Sequence, residues 1–161
     1  MNKAAVVGVG NFWRGDDAVG IITARDIKRT LDSSSGARAT IIESDGEVTS
    51  LLECFKTFER VYVIDAIKTG NSKPGRIFDF DAVKEPLQEV ALTASTHVLG
   101  VAQSIEMARA LGHLPVALRV FGIEATQFEH GSPLSKEVKA ASEVVAQWIV
   151  YEIKKEIRLD A

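Results

Sequence analysis

Three short apolar runs, each breaking into glycine or an acid, constrain this chain more than any other feature. Residues 4–7 end in Gly8, residues 39–42 run into Glu43 and Asp45, and residues 61–64 run into Asp65. The first run, of small and β-branched residues, suits a strand buried on both faces of a parallel sheet, and the other two read as its neighbours. Helical patterns lie between them. Val19, Ile22, Ile27 and Leu31 form one stripe, and Val48, Leu51, Leu52 and Phe55 form another. Strands alternating with helices predict a three-layer α/β/α sandwich with a mostly parallel sheet and right-handed crossovers.

The rest of the chain extends the pattern to five strands. Residues 76–80 read as a strand, yet residues 66–75 are turn chemistry without a helical pattern. A parallel neighbour needs a crossover of about a dozen residues or more, so this strand is expected to be antiparallel. Residues 81–94 look irregular, a helix is expected from about His97 to Leu111, and residues 117–123 form the fifth strand. After Ser132 and Pro133 comes a long helix, with Val138, Ala141, Val145, Trp148, Ile149 and Ile153 at i, i+3, i+4, i+7 spacing. At 46% hydrophobic and 25% charged residues, with no repeat or linker, residues 1–161 are expected to form one domain.

Charge and cysteine usage narrow the function classes. A net charge of −3 without a like-charge run leaves no basic face for nucleic acid or a membrane surface. Cys54 is the sole cysteine and only three histidines are present, so neither an internal disulfide nor a structural zinc site can be built. No stretch approaches the roughly 18 apolar residues of a membrane span, and the N-terminal run is too short for a secretory h-region. The expected compartment is the cytoplasm.

The loop after the first strand first suggests a dinucleotide fingerprint, because Gly8 and Gly10 lie between a strand and a helix. Trp13 occupies the third glycine place of that pattern, where close packing wants no side chain, so no nucleotide or other organic cofactor is expected. Asp16 and Asp17 follow at the start of a helix running to about Leu31. One of them can cap the helix, and its neighbour, rotated by roughly 100°, points elsewhere. Asp65 closes an apolar strand at the carboxyl edge of the sheet, where open α/β folds bind ligands. Glu43 and Asp45 sit at the equivalent end of the second strand, with an Asx turn as their ordinary explanation. His97 lies at a helix start that Ser95 or Thr96 can cap. If Asp17, Asp65 and His97 share that edge, two carboxylates and an imidazole with open positions suit a divalent transition metal such as nickel, zinc or manganese. His113 reads as a helix-end residue, His130 as loop, and Cys54 as a buried inert thiol. Phe12 and Trp13, apolar residues in a loop, are either partner-binding anchors or part of the core.

Taken together, these blocks resemble the hydrogenase maturation endopeptidases, which trim the C-terminal extension from the large-subunit precursor of nickel-iron hydrogenases. GlyValGlyAsnPheTrpArgGlyAspAspAlaValGly at 8–20 is similar to the family's opening motif. AspGly at 45–46, ValIleAspAla at 63–66 and SerThrHisValLeuGly at 95–100 follow in the family's order. The resemblance implies an α/β/α fold with a mixed sheet and assigns Asp17, Asp65 and His97 as the metal-binding trio. Asp17 stands where some relatives carry Glu. The second motif is often Asp-Gly-Gly, and here its third residue is Glu47.

The resemblance further implies a metal-dependent peptidase whose nickel is supplied by the precursor, already inserted in the substrate's active site. An open three-ligand set binds a metal weakly alone, and thiolates of the substrate would complete the coordination. Asp16 and Asp45 are the candidates for the general base or for orienting the trio. The competing expectations are a non-enzymatic nickel chaperone in hydrogenase assembly, which would hold metal tightly without cleaving, and a nucleotide-binding module using the glycine loop.

Overall fold

The computed structural model describes residues 3–34, 36–87 and 96–159, and of residues 96–99 the backbone alone. Five strands pair in one sheet: β1 (Ala4–Val9), β2 (Thr40–Ser44), β3 (Arg60–Ile67), β4 (Ile77–Asp81) and β5 (Ala117–Glu124). Four helices connect them: α1 (Val19–Asp32), α2 (Val48–Thr57), α3 (Thr96–Leu111) and α4 (Lys136–Leu159). The strand order is β2-β1-β3-β5-β4. The first four of these are mutually parallel and β4 runs antiparallel to β5, Ile77 facing Ile123 and Asp81 facing Arg119. The short link between β3 and β4, too short for a crossover helix, is the physical reason.

Both faces of the sheet are covered along β1 and β3, whereas β2 lies at an edge and none of its residues is fully buried. In β1 the alternation of side chains sends Val6 to one face and Ala5, Val7 and Val9 to the other. Val6, Tyr62, Ile64, Phe121 and Ile123 meet α1 and α4, where Ile27, Val145 and Ile149 are wholly or almost wholly buried. Val7, Val63, Leu118 and Val120 meet α2 and α3 through Leu51, Phe55, Val101 and Ile105. Truncating a side chain such as Ile149 to alanine in so filled a layer costs about 2–5 kcal/mol. No helix among the described residues is long and apolar enough to cross a membrane.

Three details depart from the sequence reading. Asp16 and Asp17 do not cap α1: they belong to a separate 3-10 turn, Gly15–Ala18, and the residue before α1 is Ala18, which makes no side-chain cap. The buried face of α1 includes Thr23 and Ala24, with Ile22 only half-buried. Thr23 Oγ1 donates to Val19 O at 2.6 Å and lies 2.8 Å from Ser142 Oγ of α4, so a hydroxyl pair seals the contact between the two helices. Asp65 does not end its strand. β3 runs on to Ile67 because β5 is long enough to pair Asp65 with Gly122 and Ile67 with Glu124. The irregular stretch expected over 81–94 lies outside the described residues from 88 onward.

Candidate functional site at the carboxyl edge

The chain leaves β1 through α1 to reach β2 on one side and then through α2 to reach β3 on the other side of β1. The direction of winding thus reverses between β1 and β3, and the crevice beyond their carboxyl ends is where open α/β proteins bind ligands. A close backbone approach delivers the acid pair to that point. Gly20, in the first turn of α1, lies against the Ile64 and Val9 carbonyl oxygens, and Gly8 lies against the Gly20 carbonyl. A methyl group at Gly20 would occupy the space of backbone atoms that cannot turn aside. Asp17, three residues earlier, is thereby pressed against β3.

Asp17 and Asp65 are both buried, at 0% and 2% exposure. Neither carboxylate oxygen of Asp65 meets a hydrogen-bond donor of ordinary geometry among the described residues. Burial, and then the charge of Asp17, hold the Asp65 carboxyl well above the usual carboxylate range, while the Ala66 N–H pulls the other way with less effect. The Arg14 guanidinium stands 4.0 Å from Asp17 Oδ2 and is half exposed, which puts a cation at the rim of the crevice. Two buried acids side by side, Asp65 without a donor of ordinary geometry among the described residues, form a set of oxygen ligands whose charge a divalent cation would neutralise.

Asp16 has a different environment. Its Oδ2 accepts from the Thr126 and Gln127 amides at 3.1 and 3.0 Å and from Ser135 Oγ at 3.0 Å, and its Oδ1 accepts from the Ser135 amide at 2.7 Å. The Asp16 N–H in turn donates to Gln127 O at 2.6 Å. This buried carboxylate fastens the loop after β5 to the loop after β1.

Asp45 is exposed at the end of β2, where its Oδ1 accepts from the Glu47 amide in an Asx turn. Gly46 follows with φ +86, and its carbonyl packs so closely on Gly100 of α3 that no side chain fits there. This contact lays the loop carrying Asp45 against the first turns of α3, where His97 stands. The His97 side chain lies outside the described residues, and among the described ones no group of three or more potential ligands gathers. Asp45 also borders a cavity of about 370 Å³ that runs along β2 and α2 past Ser44, Ser50 and Cys54. Burial pushes the Cys54 thiol up to about 11. Glu43 lies apart from the crevice, paired with Arg25 on the surface at 2.6 and 3.0 Å.

Sequence reasoning missed three residues that shape this edge. Glu47 caps α2 by accepting from the Thr49 and Ser50 amides, each at 2.8 Å, and from Ser50 Oγ, which lowers its carboxyl to about 2. Glu124, 2% exposed at the end of β5, accepts from the Thr69 amide and hydroxyl and from the Gly70 amide, and so holds the loop after β3. The rule that singled out acids at strand ends would have found it. Arg14 carried no signal in sequence, because its partner is set by how the loop folds.

The model of the hydrogenase maturation protease family matches residues 23–152, a stretch that includes Asp45, Asp65 and His97 and begins after the acid pair. Similar solved structures include a hydrogenase maturating endopeptidase HybD from E. coli, 21% identical with a TM-score of 0.75, covering 96% of this chain and 93% of that one. A [NiFe] hydrogenase maturation protease HybD from Thermococcus kodakarensis is 23% identical with a TM-score of 0.71, covering 91% and 96%. The HycI maturation protease of Thermococcus kodakarensis KOD1 is 22% identical with a TM-score of 0.68, covering 95% and 93%. No curated protein sequence matches the chain. These structures share the fold of five strands and flanking helices, and the match over residues 23–152 shows that the chain belongs to the hydrogenase maturation protease family.

Proposed function

We propose that this protein is the endopeptidase that removes the C-terminal extension of a nickel-iron hydrogenase large-subunit precursor, and that it cuts only after nickel has been inserted. The observation that carries the reading is the buried pair Asp17 and Asp65 at the topological switch point, with Asp65 lacking donors of ordinary geometry. A buried carboxylate left this way is costly to the fold unless a cation completes it. Asp17, Asp65 and His97 would engage nickel held by the precursor. Two oxygens and one imidazole leave positions on the metal for the substrate's own ligands.

Peptide hydrolysis needs a water activated toward the scissile carbonyl and a proton delivered to the departing amine. Nickel, when present, would supply positive charge beside the carbonyl. Among the chain's own groups, Asp45 is the exposed carboxylate that can take a proton from water and return it to the amine, giving a carboxylic acid and an amine as products. Asp16, whose oxygens accept four hydrogen bonds, orients the loops around the trio.

The test mixes the protein with a nickel-loaded large-subunit precursor and with the same precursor free of nickel, reading the mass of the large subunit. Loss of a C-terminal peptide from the loaded form alone is expected. Asp17→Ala and His97→Ala should abolish processing while keeping the circular dichroism of the wild type, and normal processing by either variant removes the trio. Tight nickel binding by the free protein with no cleavage of loaded precursors would assign it as a nickel chaperone instead.

A further inference from the structure

The loop that carries the acid pair also presents two aromatic rings that the hydrolysis leaves unused. Trp13 is 71% exposed and Phe12 37%. The rings meet edge to face with centroids 5.0 Å apart, and the Arg25 guanidinium covers Phe12 at 4.4 Å. Exposed apolar groups of this size, gathered in one place, mark interaction surfaces.

Hydrogen bonds fix the backbone beneath them. The Trp13 N–H donates to Asn11 Oδ1 at 3.0 Å, and the Trp13 carbonyl accepts from the Gly131 N–H at 3.0 Å. The Arg14 N–H donates to Asn11 O at 3.2 Å, and Arg14 O accepts from the Asp17 N–H at 3.1 Å. The indole is therefore presented by a held loop, and a partner that packs on it loses little further ordering entropy. From Trp13 the surface continues through Arg14, whose guanidinium lies 5.4 Å from the Phe128 ring centre and 4.0 Å from Asp17.

We propose that Phe12 and Trp13 are the docking anchor for the large-subunit precursor, gripping an apolar side chain close to the bond that is cut. The inference rests on the protease reading above. Continuity with the crevice argues for this occupant: Arg14 comes within 4.0 Å of Asp17 and is the chain neighbour of the exposed Trp13, so a peptide cut beside Asp17 is within reach of the ring pair. A Trp, a Phe and an Arg in one patch also have the composition of interface hot spots.

The experiment measures steady-state processing of nickel-loaded precursor by the wild type, Trp13→Ala and Trp13→Phe, each checked for an unaltered melting temperature. In parallel, the protein is labelled with 5-fluorotryptophan, which gives one fluorine resonance for Trp13 and one for Trp148. Trp13→Ala is expected to raise KM about 10- to 30-fold with a smaller change in kcat. Trp13→Phe should recover most of the loss, and the Trp13 resonance should shift on addition of precursor while that of Trp148 stays. Processing with an unchanged KM and an unshifted Trp13 resonance overturns the anchor and leaves the protease reading intact. A Trp13 resonance that moves with protein concentration alone assigns the patch to a second copy of this chain and equally overturns it. A wild-type protein that cleaves no loaded precursor removes the protease reading, and the anchor with it.

Discussion

Replacing Asp65 by asparagine should make the metal-free protein more stable, although it removes a group on which the proposed activity depends. Asp65 is 2% exposed, its oxygens find no donor of ordinary geometry among the described residues, and the buried Asp17 carboxylate acts on it. The folded protein therefore holds the Asp65 proton more tightly than the unfolded chain, whose carboxyl titrates near 3.8. As pH rises past that value the unfolded state gains free energy of ionisation that the folded state cannot match. Stability falls by about 1.4 kcal/mol per pH unit until the raised folded value is passed. An amide has nearly the size and desolvation cost of a protonated carboxyl, cannot ionise, and can donate toward Asp17. The advantage of Asp65→Asn should be close to zero near pH 3.5 and widen as pH rises through and above the ordinary carboxylate range. In a chain of this length each kcal/mol of that advantage is a rise of about 2–4 °C in melting temperature. Thermal unfolding followed by circular dichroism between pH 4 and 7, in EDTA, measures it. A lower melting temperature for the variant at pH 6, or a difference that does not widen with pH, would falsify the account of Asp65 as a destabilising buried acid.

Three further outcomes follow from neighbouring contacts. Gly20→Ala should cost about 3 kcal/mol, because the new methyl meets the Ile64 and Val9 carbonyls, and should cut processing more than it lowers helix content, since α1 must back away and take Asp17 with it. Denaturant unfolding beside the processing assay checks both. Asp16→Asn puts an NH2 where a carboxylate oxygen accepted hydrogen bonds, at a cost of about 3 kcal/mol, and should speed hydrogen exchange at the Thr126, Gln127 and Ser135 amides selectively. Glu47 has a folded value near 2, below its ordinary 4.5, so its contribution to α2 is present above pH 4.5 and lost as pH falls toward 2. The gap in melting temperature between wild type and Glu47→Ala should be constant above about pH 5 and close on acidification.

Much of this protein was legible in the linear sequence, for local reasons. The apolar run of β1 fixes a strand buried on both faces, and the i, i+3, i+4, i+7 stripe of α4 fixes its inner side, because both signals repeat within a few residues. The direction of β4 followed from chain length alone, since ten residues of turn chemistry cannot cross over a sheet. Glycine at 46, directly after Asp45, permits the positive φ of +86 that the backbone has there. The four motif blocks pointed to the family to which the chain belongs.

Tertiary structure decided the rest, because partners far apart in sequence leave no local trace. Asp16 and Asp17 are adjacent and chemically identical, yet one accepts from residues 126, 127 and 135 while the other faces Asp65. Only the approach of the loop after β5 separates them. Glu47 departs from the motif it sits in and serves as the cap of α2, which became visible only once the helix start was placed. Phe12 and Trp13 could have folded inward on hydrophobicity alone. The hydrogen bonds of Asn11 and Gly131 hold their loop so that both rings stand out beside the crevice, a placement that needs a partner as distant in the chain as Gly131 and does not follow from the character of the side chains.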